Sequence, residues 1–409
     1  MVDHRKLGRE LELFCSDPLA GAGLPIWLPA GAAARHAVEE YLRERERRAG
    51  HQHVVSPPLG KRELYELSGH AEHFADDMFP PMPMSADDEL VLRPSLCPHH
   101  ALVFAARGRS YRELPLRIAE IGSMFRAERS GVLGGLSRVR AISLNDGHTF
   151  CADGQLVDEV CRELESIRQV HADLGVRASE FRLSLRGDEV EAPKKFVDDP
   201  QMWARASAVL REALERAGVE FAEAPGEAAF YGPKIDIQVR DDAGRAQTLS
   251  TVQVDYHKPA RFGLSYAAAD GSRQVPVMIH RSLAGSMERL FAHLIEVHAG
   301  AFPAWYAPVQ IEVLPIAAEQ EEAAWAVHRA GLEAGLRVVV SSGGSLGSRI
   351  RESAVRKVPY AAVIGPRESA SGQVAVRLRD GRELPPMPVG HLLDLVGRVV
   401  ATRSLELSG

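Results

Sequence analysis

Residues 124–151 read MFRAERSGVLGGLSRVRAISLNDGHTFC, and this stretch decides the fold. A glycine-rich turn at positions 131–135 is followed by side chains that alternate as in a β-strand, from Arg138 to Leu144, which predicts a β-hairpin. A hairpin places Arg126 and Arg138 close together on a rigid surface. Two fixed guanidinium groups suit a ligand that carries a carboxylate and a phosphate, because each can bind two oxygens. On the charge pattern alone, a hairpin whose charged face is solvated is the favoured interpretation.

The composition is that of a globular protein of ordinary charge. The 409 residues, 45% hydrophobic and 25% charged, predict two or three domains. The sequence has no apolar run that could cross a membrane, and it begins with a charged segment rather than a signal peptide. Four cysteines in a chain of this length predict a reducing, cytoplasmic location. The net charge of −6 excludes a generally basic nucleic-acid binder, so any RNA surface has to be a local basic patch.

The hydrophobic periodicity predicts a mixed α/β organisation. A long helix is predicted over residues 32–48, followed by a strand that ends at Pro57. The Pro/Met-rich residues 80–88 are predicted to form a surface loop. The composition shifts after Pro303, and residues 309–409 read βαβαββα, which is typical of an α/β domain.

Several motifs together resemble those of a known family. The segments FRAERSG, GGLSRVR and NDGHTFC resemble motif 2 of the class II aminoacyl-tRNA synthetases, in the form found in the threonyl-tRNA synthetases. LRPSLCPHH precedes them, and AAFYGPKIDIQV, TVQVDY and VPVMIHRSLAGSMERL follow them, in the order in which that family has its motifs. The resemblance extends from about residue 3 to the C-terminus.

The resemblance implies an α+β protein in two parts. Residues 1–304 would form a class II catalytic domain, an antiparallel sheet flanked by helices. Residues 305–409 would form an α/β domain similar to the anticodon-binding domain of the threonyl, prolyl and histidyl enzymes. The helix and strand before Pro57 resemble motif 1, which forms the dimer interface in this class, so we expect a homodimer.

The resemblance also implies a metal site, which spacing alone would not find. A lone cysteine is most often a buried small residue. The implied zinc ligands are Cys97, His148 and His280. Three protein ligands leave zinc an open position, which the amino and hydroxyl groups of threonine fill in this family, with Asp146 placed to accept the hydroxyl proton. His99 and His100 are alternative ligands if the register of the motif shifts.

The implied reaction is the ATP-dependent formation of threonyl-adenylate, followed by transfer of the threonyl group to tRNA. The residues implied to bind ATP, which is accompanied by magnesium, are Arg126, Glu128, Arg138, Ile142 and Arg289, and of these Arg126, Glu128 and Arg289 are implied to be catalytic. The residues implied to bind the amino acid are His70, Asp146, Tyr231, Lys234, Gln253 and Ser286. No protein nucleophile is needed, because catalysis comes from positioning and charge neutralisation.

Several positions depart from the family pattern. Ile142 replaces a phenylalanine that stacks on adenine, and Leu144 replaces a glutamine that faces the amino acid. Thr248 replaces another glutamine, although Gln247 takes that position if the register shifts by one residue. The pair at 95–96, Ser-Leu, replaces Met-Asn.

The C-terminal part departs most clearly in one loop. Residues 340–347, VSSGGSLG, carry no charge and replace the family's DLRNEKIG, which helps to read the anticodon. The candidates for a local RNA-binding patch are Arg349, Arg351, Arg356, Lys357, Arg377 and Arg379. The sequence begins after the family's N-terminal domains, so we expect it to lack the domain that removes mischarged serine.

Three functions fit this sequence. The first is a threonine–tRNA ligase core. The second is a paralogue that activates threonine or a related β-hydroxy amino acid for another acceptor, such as a carrier protein or a small molecule. The retained Asp146, Arg126 and Arg289 favour these two, and the uncharged loop favours the second. The third is a non-catalytic RNA-binding or regulatory protein, which would be favoured only by a failure to bind zinc or ATP.

Overall fold

The computed structural model describes residues 2–85, 88–187 and 196–408. Before residue 300 the strands are β1 (Phe14–Cys15), β2 (Ile26–Trp27), β3 (Gln52–His53), β4 (Leu59–Lys61), β5 (Met82–Ser85), β6 (Asp88–Leu92), β7 (Arg109–Ser110), β8 (Leu116–Phe125), β9 (Ala141–Cys151), β10 (Glu180–Leu185), β11 (Phe221–Pro225), β12 (Lys234–Arg240), β13 (Ala246–Asp255), β14 (Tyr266–Ala267), β15 (Arg273–Gln274) and β16 (Val277–Ser282). The α-helices of this part are α1 (His4–Glu10), α2 (Pro29–Arg48), α3 (Arg62–Leu67), α4 (His70–His73), α5 (Cys97–Ala105), α6 (Leu156–Leu174), α7 (Pro200–Arg216), α8 (His257–Arg261) and α9 (Met287–Val297).

The central sheet separates a hydrophobic core from an open face. Its strands lie in the order β11–β10–β12–β13–β16–β9–β8–β3, and only the pairs at its two edges are parallel. On β12, Ile235 and Ile237 belong to the core that α6, α7 and α9 cover, whereas Lys234 and Asp236 line a cavity on the other face. This alternation with a period of two residues lets one strand serve both the core and the cavity.

Helix α6 shows why helices cover the core face. Leu156, Val160, Leu164 and Ile167 recur at the three- and four-residue spacing of a single helix face, and all are buried. The helix ends where Gly175 adopts a left-handed conformation, with φ of 73°. Within the described ranges, no helix is both long and apolar enough to cross a membrane.

The predicted hairpin is present, but its connection is longer than expected. β8 and β9 pair in antiparallel fashion along the whole length of β8. Arg138 and Arg140, expected on the returning strand, lie in the connection instead, because β9 begins only at Ala141. The Arg140 side chain donates to the Glu128 carbonyl oxygen at 2.9 Å, and its backbone N–H donates to the Gly23 carbonyl at 2.8 Å. These contacts fix the connection against its surroundings.

Two expectations for the N-terminal half need correction. The loop predicted over residues 80–88 contains β5, which pairs with β6, while residues 86–87 lie outside the described residues. β5 is an exposed edge strand, and an edge tolerates proline. The strand predicted to end at Pro57 is also shorter than expected, since β3 has only two residues.

The C-terminal part forms a second sheet with its own core. Its elements are β17 (Ile311–Pro315), α10 (Glu321–Glu333), β18 (Val338–Val340), α11 (Leu346–Val355), β19 (Tyr360–Ile364), α12 (Pro366–Ser371), β20 (Gln373–Leu378), β21 (Glu383–Pro388) and α13 (Val389–Ala401). The sheet order is β18–β17–β19–β20–β21. The predicted succession of elements omitted α12 and β21. Strand β21, ELPPMP, contains three prolines, which the sheet accommodates because β21 lies at its edge.

Candidate active site

A cavity of about 510 Å³ opens on the free face of the central sheet. Its lining comes from β9, β12, β13 and β16, from the end of β8, from the first residues of α4, α5 and α9, and from the connections between β8 and β9 and between β11 and β12. All fourteen site residues that the sequence predicted are part of this lining: His70, Cys97, Arg126, Glu128, Arg138, Ile142, Asp146, His148, Tyr231, Lys234, Gln253, His280, Ser286 and Arg289. The fold therefore brings together residues separated by more than two hundred positions in the sequence.

Three of these residues form a cluster that could hold a metal ion, and we call it the cysteine–histidine cluster: Cys97, His148 and His280. Their ligand atoms all lie within 4.8 Å of one another, and all three side chains are buried. His148 and His280 face each other across the pairing of β9 with β16, and Cys97 is the first residue of α5. The alternative ligands do not join this group: His99 contacts the Leu59 carbonyl, and His100 lies behind His148.

The hydrogen bonds around the cluster show that a cation fits it. Five side chains form a buried row with four contacts: Asp255 to His280 (2.9 Å), His280 Nδ1 to His148 Nε2 (2.8 Å), His148 Nδ1 to His100 Nδ1 (2.7 Å), and His100 Nε2 to Glu120 (3.2 Å). Each of these four contacts needs one proton to be a hydrogen bond, but three neutral imidazoles supply only three N–H groups, so one contact is left without a proton. A cation held by Cys97, His148 and His280 would replace the contact between the two histidine rings, and one N–H group would then remain for each of the other three contacts.

Burial disfavours the alternative of an extra proton in this row. It lowers the pKa of His280 to about 4, and burial together with the neighbouring His280 lowers the pKa of His148 well below its usual range. A thiol and two imidazoles are also a donor set typical of zinc. The residues present therefore fit a zinc ion.

Asp146 lies beside the cluster on β9. It is two residues before His148 and on the same face of the strand, with its Oδ2 4.0 Å from His148 Nε2. Burial raises the pKa of Asp146 to about 7, against the opposing effect of the Arg281 charge. The site thus presents a buried carboxyl oxygen next to the metal position.

Arginine side chains supply positive charge to the same cavity. Arg126 follows β8, is partly buried, and lies over the Phe74 ring at 5.3 Å. Among the described residues, its Nε has no hydrogen-bond partner. Arg138 forms an ion pair with Glu128 at 2.8 Å. The connection between β8 and β9 therefore holds the guanidinium of Arg138 in place and leaves that of Arg126 available to a ligand. Burial lowers the pKa of Arg126, because it disfavours the charged guanidinium, and an anion bound beside Arg126 would offset that cost.

The turn before α9 positions the last arginine. Gly285 has φ of 68°, and a Cβ there would lie 2.4 Å from the Leu249 carbonyl oxygen, so only glycine fits. Ser286 then caps α9 by accepting the backbone N–H of Arg289 at 3.1 Å. The Arg289 guanidinium donates to the Thr248 carbonyl oxygen at 3.1 Å. Thr248 lines the cavity, whereas Gln247, the alternative from the sequence, contacts Asp241.

The aromatic wall of the cavity is built around Tyr231. Its hydroxyl donates to Gln253, and its ring lies 5.0 Å from the His280 ring. The ammonium group of Lys258 lies 3.2 Å from the centre of the same ring, although Lys258 is almost wholly buried. On the neighbouring strand, Lys234 forms an ion pair with Asp236 at 2.6 Å.

Ser95, one of the departures from the family pattern, has a clear role in the structure. Its hydroxyl lies 2.9 Å from Nε2 of His70 and 3.2 Å from the sulfur of Cys97. Nδ1 of His70 contacts the Ser68 hydroxyl at 2.7 Å. The substitution of methionine by serine therefore links His70 to the cluster through hydrogen bonds.

Sequence reasoning missed the residues that lie behind the cavity wall. Asp255, Lys258 and His100 contact His280, Tyr231 and His148, and Glu120 contacts His100. None of these four residues lines the cavity. A lysine is usually exposed, and nothing in the sequence around Lys258 indicates burial. The tandem histidine after Cys97 is a signal in the sequence, but it predicts alternative metal ligands and not a residue behind His148.

Comparison with known proteins agrees with this geometry. The sequence model of the family 'tRNA synthetase class II core domain (G, H, P, S and T)' matches residues 82–298, and that of the family 'Anticodon binding domain' matches residues 310–398. The antiparallel sheet with its cavity and these matches define a class II tRNA synthetase core.

The individual relatives narrow the family further. The threonine–tRNA ligase of Geobacillus sp. (strain WCH70) is 48% identical over 92% of this chain and 58% of its own length. That of Geobacillus kaustophilus (strain HTA426) is 45% identical over 99% of this chain and 62% of its own length. The chain thus spans less than two thirds of these curated relatives. The RNA binding domain of threonyl-tRNA synthetase from Cryptosporidium parvum Iowa II superposes with a TM-score of 0.91 and 32% identity, covering 100% of this chain and 99% of that one. The chain belongs to the threonyl-tRNA synthetase family.

Proposed function

We propose that this chain activates L-threonine with ATP to form threonyl-adenylate and transfers the threonyl group to tRNA. The observation that carries the proposal is the buried cysteine–histidine cluster beside Asp146, in the same cavity as Arg126 and Arg289. That cavity combines donors for a metal-bound amino acid with positive charge for a carboxylate and phosphates. The family relationship agrees with this reaction.

The proposed cofactor of the cluster is one zinc ion per chain. When bound, zinc would supply an open coordination position for the amino and hydroxyl groups of threonine. Asp146 accepts the hydrogen bond of the substrate hydroxyl. Valine has no hydroxyl, so its binding would leave the buried Asp146 without that partner, and a lost hydrogen bond discriminates more strongly than a lost methyl group. Serine, which lacks one methyl, would be rejected by only about 1–3 kcal/mol.

The remaining side chains position ATP, which is accompanied by magnesium. Arg126 binds both the amino-acid carboxylate and the α-phosphate of ATP. These two groups come together when the carboxylate attacks the α-phosphate in line. Glu128 holds Arg138, and Ile142 provides an apolar contact for the adenine. Arg289, in the first turn of α9, binds a phosphate where the helix N-terminus adds favourable potential. Tyr231, Lys234, Gln253, His70 and Ser286 complete the amino-acid pocket.

The proposal includes the division of the chain and its assembly. Residues 1–304 act as the catalytic domain, and residues 305–409 act as an anticodon-binding-like domain. The assembly is a homodimer that pairs at β3, the edge strand of the central sheet. Val55, just beyond β3, is 97% exposed, and an unpaired edge with an exposed apolar residue suits a second copy of the chain.

The C-terminal part favours a second candidate, in which the acyl acceptor is not tRNA. Four of the six predicted RNA-binding residues are used internally: Arg349 and Arg379 each donate to backbone carbonyls, Arg356 pairs with Glu312, and Arg377 pairs with Glu383. The loop at residues 340–347 carries no charge. Both observations reduce the positive surface that an anticodon would meet.

The test is threonine-dependent exchange of pyrophosphate into ATP, followed by charging of tRNA in the same reactions. We expect exchange and charging for the wild type, and a large loss of exchange for Arg289→Met. Arg9→Met is the control, because Arg9 is exposed and distant in sequence from the cavity lining. Exchange without charging supports the second candidate, and absence of exchange with threonine and with other β-hydroxy amino acids contradicts both.

A further inference from the structure

A second layer of side chains lies behind His148, at the ring nitrogen opposite the one that contacts His280. Nδ1 of His148 is 2.7 Å from Nδ1 of His100, and Nε2 of His100 is 3.2 Å from Oε2 of Glu120. His148 and His100 are fully buried, and Glu120 is 5% exposed. Neither His100 nor Glu120 lines the cavity.

The Glu120 carboxylate is held in one orientation. Its Oε1 accepts the backbone N–H of Ser56 at 3.2 Å and the guanidinium of Arg93 at 3.3 Å. Its Oε2 accepts the Ser56 hydroxyl at 2.6 Å. Arg93 is itself fixed by the carbonyl oxygen of Ser123. A carboxylate with these donors presents only an acceptor to His100.

We propose that His100 and Glu120 are positioning residues that set the tautomer of His148 for metal binding. Because Glu120 accepts, the N–H of His100 is on Nε2, and His100 Nδ1 carries a lone pair. That lone pair accepts the Nδ1–H of His148, which leaves the Nε2 lone pair of His148 directed into the cysteine–histidine cluster. The inference rests on the metal site assigned under the proposed function.

The substitution Glu120→Gln tests this logic without changing the shape of the side chain. The obligate donors Ser56 N–H and Arg93 fix the amide oxygen at the Oε1 position, so the NH₂ group occupies the Oε2 position and donates to His100. His100 then carries its N–H on Nδ1, and His148 has to move its own N–H to Nε2. The proton now points at the metal position, so we expect weaker metal binding.

The experiment measures zinc affinity by competition with a chelator and the visible spectrum of the Co²⁺-loaded protein. We expect His100→Leu and Glu120→Gln to weaken zinc binding by about 10- to 100-fold and to alter the Co²⁺ spectrum. His100→Asn keeps an acceptor near the Nδ1 position and is expected to recover part of the loss. The matched control is His99→Leu, a buried histidine on the same helix that faces Leu59 instead.

The outcomes separate this inference from the proposed function. If the wild type binds zinc in a Cys97-dependent way but His100→Leu and Glu120→Gln bind within about twofold of it, the positioning role is overturned. If His99→Leu weakens zinc as much as His100→Leu, the effect belongs to helix α5 and the inference is likewise overturned. If the wild type binds zinc no better than Cys97→Ala, the metal site itself is wrong.

Discussion

Glu46 is a buried carboxylate on α2, and its substitution by glutamine should change how stability depends on pH. Its side chain is fully buried and contacts Arg281 at 2.8 Å, Asn145 at 2.8 Å and His53 at 2.7 Å. Burial alone would raise its pKa, but the Arg281 charge and the three hydrogen bonds outweigh burial and lower the pKa to about 2, from 4.5. A lowered pKa in the folded state means that the ionised carboxylate stabilises the fold.

The magnitude follows from the size of the pKa shift. At 1.36 kcal/mol per pKa unit, the ionised carboxylate contributes about 3 kcal/mol to the free energy of unfolding. This contribution is complete above pH 4.5, decreases as the pH falls towards 2, and is absent below 2. Glu46→Gln should therefore be less stable than the wild type by about 3 kcal/mol at neutral pH, with the difference shrinking below pH 4.5.

Urea unfolding followed by tryptophan fluorescence from pH 7 to pH 3 measures this difference. Glu40→Gln is the control, since Glu40 is an exposed residue of the same helix and should change stability by less than about 0.5 kcal/mol. A gap between wild type and Glu46→Gln that stays constant over the whole pH range would refute the reasoning.

Three further predictions concern the turn, the core and the C-terminal part. Gly285→Ala should reduce pyrophosphate exchange by about 100-fold while zinc content is kept, because a Cβ at this position displaces the start of α9; unchanged exchange would contradict this. Leu164→Ala should lower the free energy of unfolding by about 2–5 kcal/mol, whereas Leu19→Ala, at a residue 98% exposed, should leave it nearly unchanged in the same urea titration. Arg349→Met should cost about 1–3 kcal/mol because it leaves buried carbonyls unpaired, and a loss of tRNA affinity without a loss of stability would contradict that structural role.

The cavity lining could be predicted from sequence because its residues stand in long motifs. The motifs around Cys97, His148 and His280 have a fixed order along the chain, and the resemblance grouped these three residues, which the fold brings into one cluster, although spacing could not. The fold class followed from the same motifs, and the pairing of β8 with β9 followed from the glycine-rich turn. What the motifs encode is the lining of the cavity.

The layer behind the cavity could not be predicted, because its contacts join distant elements. Glu120 on β8 and His100 on α5 are brought into contact only by the folded sheet. Lys258 is buried, although lysine side chains are usually exposed. Strand β21 was missed for a related reason. Its prolines argue against a strand locally, and only its place at the sheet edge makes them acceptable.

The central claim is that the cysteine–histidine cluster and Asp146 select an amino acid by its β-hydroxyl group. The most direct measurement is the ratio of exchange rates with threonine and with valine, each per unit concentration, for the zinc-loaded protein. We predict a preference for threonine of at least about 10⁴, the range expected when a buried group loses its hydrogen-bond partner. A preference of about 10- to 200-fold, which a pocket that senses only shape would give, would contradict the account.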